Sequence, residues 1–151
     1  MPDFSKLANS KAGEAKKPKA LPEGNYLAVI KGWSFEPAPA GKDYESIVRF
    51  NLGMMDWPAE VPESDKQQDL GNGQFKPIDL SKRQMRRDFY DNVLYRLDDF
   101  IKSCGVDMNG RTYSEVLPEL VGKRVIAQVK QYLNERTSEI GNNIGDLTGE
   151  K

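Results

Sequence analysis

Residues 81–105 read SKRQMRRDFYDNVLYRLDDFIKSCG, and the apolar period changes in the middle of them. Up to Tyr90 the alternation is that of a strand. Arg83, Met85, Arg87 and Phe89 share one face, and Lys82, Gln84, Arg86, Asp88 and Tyr90 share the other. From Asp91 onward the spacing is helical, with Leu94, Leu97, Ile101 and Cys104 in one stripe flanked by Val93 and Phe100. Asp91 or Asn92 can cap the start, since a short side-chain oxygen accepts from the unpaired N–H groups of the first turn. Gly105 stops the helix, because it takes a left-handed conformation without a Cβ clash. A basic strand that runs straight into a bounded amphipathic helix restricts the fold to one mixing strands with at least one helix.

The remaining segments read mostly as strands. Residues 25–35 follow a Leu-Pro-Glu-Gly turn. Tyr26, Ala28 and Ile30 lie on one side, with Leu27, Val29, Trp33 and Phe35 on the other; Gly32 marks a bulge or bend. Residues 44–54 place Val48, Phe50, Leu52 and Met54 toward a core and Arg49 outward. Residues 55–80, with three prolines and two glycines, show neither period and read as a long loop, of the kind that is functional or disordered. A short helical turn at 114–120, a strand at 122–133 and a glycine-interrupted strand at 140–148 complete the order. Five strands with one helix between the third and fourth is the order of an OB-fold, a five-stranded, partly open Greek-key barrel. The predicted class is therefore all-β with one helix, comprising a domain over 21–149 and a flexible basic tail over 1–20.

Composition narrows the chemistry. The chain has no histidine and a single cysteine, so histidine-based triads, internal disulfides and ordinary zinc sites are excluded. Cys104 falls on the helix's apolar face and reads as a buried structural thiol. Carboxylate–metal or lysine chemistry is what remains for an enzyme, and Asp88, Asp91, Asp98 and Asp99 are close in sequence. However, Asp98 and Asp99 fall on the helix's outer side, so a metal-dependent nuclease is the lesser alternative. The formal net charge is −1, so attraction to a polyanion must come from local clustering. No cofactor is predicted. No segment has the length and apolarity of a membrane span or signal peptide, and the expected location is cytoplasmic.

Clustering does occur. In the barrel reading, outward residues of the middle strands form a groove containing Trp33, Arg49, Lys82, Arg86, Tyr90, Arg124, Lys130 and Tyr132, with Arg136 in the last hairpin. Cations that track phosphates, interleaved with rings that stack on unpaired bases, suit a single-stranded nucleic acid. Stacking supplies about 1–3 kcal/mol per base, so a few rings suffice. Lys82, Arg83, Arg86 and Arg87 would repel one another on one strand unless a polyanion or acidic neighbours compensate. Trp57, in the long loop, reads as folded back on the barrel.

The stretches LPEGNYLAVIKGWSFEP, RFNLGM, YRLDDFIKSCGVD, LVGKRVIAQVKQY and GNNIGDL together resemble the bacteriophage single-stranded-DNA-binding-like proteins over roughly 21–149. The resemblance implies a non-enzymatic OB-fold accessory of replication or recombination that coats exposed single strands in the infected bacterial cell. Its expected partners are single-stranded DNA and phage or host replication and recombination proteins, without a membrane, and a homodimer is compatible with it. Many such proteins end in an acidic recruiting tail, whereas this chain ends Gly-Asp-Leu-Thr-Gly-Glu-Lys. A protein-interaction module of a phage replication assembly is the alternative from a different class.

Overall fold

The computed structural model describes residues 19–71 and 73–150. Apart from Lys19 and Ala20, the tail predicted over 1–20 lies outside them. The described chain is mostly β. Five long strands, β1 (Gly24–Pro37), β2 (Ser46–Asp56), β5 (Gln84–Tyr90), β6 (Arg124–Asn134) and β7 (Glu139–Gly149), form one antiparallel sheet in the order β5-β2-β1-β6-β7. Two short strands, β3 (Gln67–Gly71) and β4 (Gln74–Pro77), pair only with each other. Helix α1 (Leu94–Ser103) lies between β5 and β6, followed by the one-turn helix α2 (Tyr113–Val116), which runs into a 3-10 turn at Leu117–Leu120.

Period-2 alternation builds the sheet's inner face. Tyr26, Ala28 and Ile30 of β1, Phe50 and Leu52 of β2, and Val125, Ala127 and Val129 of β6 are almost wholly excluded from solvent. The expected bulge is present, since the β1–β2 register slips between Ile30 and Gly32. One extra residue reverses which side chains point inward. Beyond the bulge Trp33 sits opposite Phe50 and Phe35 opposite Val48, so both lie on the inner face rather than the outer face predicted for them; Trp33 packs half-buried against the core, while Phe35 stays 52% exposed at its rim.

Helix α1 closes the core beneath the two edge strands. Leu97, Phe100 and Ile101 are buried, each adding about 1.5–3 kcal/mol. The Phe100 ring stacks on Phe89 of β5 (centroids 5.5 Å apart) and meets Phe50 edge-on. The helix ends as its sequence predicts: Gly105 has φ +78°, its N–H bonds Lys102 O, and the N–H of Val106 reaches back to Ile101 O. Its start differs from the expectation. A 3-10 turn at Asp91–Val93 leads into α1 with no side-chain cap. The Asp91 carboxylate instead accepts from the backbone N–H groups of Glu45 and Ser46 and from Ser46 Oγ, so it secures the first residue of β2. Cys104 packs half-buried against the core, and burial pushes its thiol pKa up.

The long connection between β2 and β5 is structured. Trp57 folds back, as expected, to pack against Tyr26 at 5.7 Å, and Val61 and Leu80 are buried. Between them stand a 3-10 turn at Glu63–Lys66 and the β3–β4 hairpin, where a featureless loop was predicted. The segment entering β1 is also held in place. Lys19 Nζ donates to Asp65 O at 3.4 Å, and Leu21 N donates to Asn142 Oδ1 at 2.7 Å.

Edge strands β5 and β7 approach each other, so the sheet is strongly curled. Arg87, on the inner face of β5, bridges them by donating from Nε to Gly145 O at 3.0 Å. No described helix is long and apolar enough to cross a membrane.

Candidate nucleic-acid interface

The basic run before α1 is divided by the fold. Lys82 ends a 3-10 turn (Leu80–Lys82) before β5 starts. Arg83 is half-buried, Arg86 points outward from β5, and Arg87 points inward to the seam with β7. The mutual repulsion expected of four cations on one strand is thus relieved by placement on different surfaces.

The groove predicted from nine residues separates into two groups. The first is distant from a common surface or already engaged. Trp33 lies half-buried against the core, its ring 5.1 Å from Phe35. Arg49 is held by Asp88 through two bonds, Nε to Oδ1 at 2.9 Å and a second guanidinium nitrogen to Oδ2 at 3.3 Å. Tyr90 packs at a tilt against Tyr44, ring centroids 4.4 Å apart, and Arg124 pairs with Glu150 at 2.7 Å. These partnerships engage the side chains without any ligand.

The second group faces solvent, and part of it converges. Arg86 and Tyr132 line one cleft of about 540 Å³ between the start of β5 and the β6–β7 hairpin, together with Gln84, Met85, Asn142 and Asn143. Arg86 lies 4.0 Å from Asp88, a carboxylate already held closely by Arg49, and its side chain remains largely exposed. Lys130 stands on the same outward face of β6 as Tyr132, paired in register with Asn143. Lys82 precedes β5, and Arg136 lies in the turn of the hairpin that carries Tyr132; both are exposed. Among the described residues, no carboxylate forms an ion pair with Lys82, Lys130 or Arg136.

The glycines of β7 shape this surface. A Cβ at position 141 would lie 2.6 Å from Cζ and Oη of Tyr132, and one at 145 would lie 2.6 Å from Lys130 Cε. Their absence lets the Tyr132 ring and the Lys130 chain lie down across β7 instead of standing off it. Asn142 fixes the hairpin to the incoming chain, accepting from Leu21 N and donating to Leu21 O at 2.9 Å. Gln84, Asn142 and Asn143 were not anticipated as part of the site. Their sequence signal was the spacing of Gly141 and Gly145 on a strand facing bulky residues.

The carboxylates that suggested a nuclease do not converge. Asp88 faces Arg49, Asp91 serves the start of β2, and Asp98 accepts from Tyr113 Oη at 2.6 Å. Among the described residues, no group of three or more acidic or thiol side chains is placed to hold a metal ion.

No protein-family model matches the chain, and no curated protein matches it.

Proposed function

We propose that this chain is an OB-type barrel protein that binds single-stranded DNA without catalysing a reaction on it. Numbered along the main sheet only, the strands run 3-2-1-4-5, the helix falls between the third and fourth, and the outer two approach each other. That arrangement agrees with an OB barrel. The observation that carries the functional reading is Arg86 facing Tyr132 across one cleft, with Lys130 beside them. The cations neutralise phosphates and the ring stacks on an unpaired base. Duplex DNA keeps its bases stacked and paired, so it offers Tyr132 no such face. The sequence resemblance to phage single-strand-binding-like proteins supports a role for this activity in replication or recombination within an infected cell.

The test is a titration of fluorescently labelled oligo-dT and of a matching duplex, followed by anisotropy at several salt concentrations. Three or four phosphate contacts give log K a slope of about −2 to −3 against log salt, at about 0.7 per contact. Equal affinity for duplex and single strand, or no binding at low salt, would overturn the reading.

A second reading, the protein-interaction module, draws on the other side of the same hairpin. Leu133 and Ile140 are a cross-strand pair there, 57% and 51% exposed. Retention of DNA binding by a Leu133→Ser, Ile140→Ser variant would separate that face from the cleft.

A further inference from the structure

We propose that the cleft seats a single unstacked nucleobase and reads its edge through the carboxamides of Gln84 and Asn143, so that binding carries a base preference. This rests on the single-strand reading above and adds a local base selectivity to it.

Three observations lead to it. The Tyr132 ring lies close over the backbone at Gly141, where a Cβ would stand 2.6 Å from Cζ and Oη, and its exposed side is left for a stacking partner. A concavity of about 540 Å³ adjoins the ring, large enough for one base and bounded by β5 on its far side. The polar groups lining it are amides as well as the Arg86 cation. Asn142 is used up within the protein, bonding both polar backbone atoms of Leu21 and also Lys130 O at 3.2 Å. Gln84 and Asn143 are exposed, and neither side chain has a hydrogen-bond partner among the described residues.

The chemistry of the groups decides what they suit. A phosphate presents acceptors only, and a site built for phosphates alone would use donors such as Lys and Arg. A carboxamide presents an acceptor oxygen beside an NH₂ donor. The complementary surface is a donor adjacent to an acceptor, which is what a base edge offers. Two neutral amides lining the same cleft as a cation and a ring therefore match a nucleotide in parts: Arg86 for the phosphate, Tyr132 for the base plane, Gln84 and Asn143 for the base edge. The four bases differ in the order of donors and acceptors along that edge, so they cannot all be met equally well.

The experiment uses the full chain and labelled pentamers dT-dT-X-dT-dT, where X is each of the four bases or an abasic site. Wild-type protein is expected to separate the best base from the worst by at least about fivefold, the low end of what one bidentate amide–base contact provides, with the abasic pentamer weakest. Gln84→Ala combined with Asn143→Ala should flatten the ranking of the bases while the abasic pentamer still binds least. Tyr132→Ala should bring every base down toward the abasic value. Equal affinity of wild-type protein for all four bases removes the inference and leaves the single-strand reading intact, as does an unchanged ranking in the double variant. Failure to bind any pentamer or longer oligo-dT removes both.

Discussion

Arg87 Nε donates a 3.0 Å hydrogen bond to the carbonyl oxygen of Gly145, joining two strands at opposite ends of the sheet order. The same guanidinium lies 4.5 Å over the Phe89 ring and also donates to Asp88 O. Burial lowers its pKa, but an arginine so displaced is still a cation at neutral pH. Arg87→Met keeps much of the volume and removes the donors. Expected is a loss of about 1–3 kcal/mol, the cost of a charged hydrogen bond and an unpaired carbonyl, read from the midpoint of urea unfolding. An unchanged midpoint would mean the edges hold together without it.

Tyr132 and Gly141 should behave as a unit. Tyr132→Ala is expected to cost about 1–3 kcal/mol of oligo-dT affinity, the value of one stacked base, with little effect on stability because the residue is 47% exposed. Gly141→Val leaves the ring chemically intact but occupies the space beneath it. It should weaken binding comparably. Normal affinity in Gly141→Val would show that the ring's position does not matter.

Salt dependence distinguishes available cations from engaged ones. Arg86→Ala with Lys130→Ala should reduce the slope of log K against log salt by about 1.4, at about 0.7 for each lost contact. Arg124→Ala should leave that slope nearly unchanged, because Glu150 already neutralises this guanidinium at 2.7 Å. The reverse pattern would move the interface from the β5–β7 cleft to the far end of β6.

Alkaline pH tests two phenols, Tyr26 fully buried and Tyr113 partly buried. Tyr26 and Tyr113 are both pushed up to about 12 from an ordinary value of 10.0, chiefly by burial; Asp98, which accepts the Tyr113 proton at 2.6 Å, adds to the second. In the unfolded chain both would ionise near 10, while the folded protein keeps them neutral to about 12. Their contribution is therefore whole below pH 10 and is lost as pH rises from about 10 to about 12. Tyr113→Phe should make the fall in unfolding midpoint over that window shallower. An identical fall in both proteins would exclude Tyr113 as a source.

Where apolar period was long and unbroken, the sequence was a reliable guide. Every alternation from Tyr26 to Ile30 and from Val48 to Met54 pointed the way the structure has it, and Gly105 ended α1 as anticipated. The misreadings have local causes. Gly32 announced a bulge, but the resulting reversal was not carried forward to Trp33 and Phe35. The β3–β4 hairpin was overlooked because its strands pair only with each other and bury no alternating face, although Asn72-Gly73 is a turn signal. Of the site, Arg86, Lys130 and Tyr132 were legible as outward residues. The engagement of Arg49 by Asp88 was not, because cross-strand neighbours are set by register, which no single strand encodes.

Both tryptophans have their rings against the core, Trp33 beside Phe35 and Trp57 beside Tyr26, and neither lines the cleft beside Arg86. Intrinsic emission is then an internal gauge of the fold rather than of occupancy. A titration in which the label's anisotropy rises while tryptophan emission holds steady would report ligand on an intact sheet. Emission that shifts along with it would mean that the strand has loosened the protein it binds.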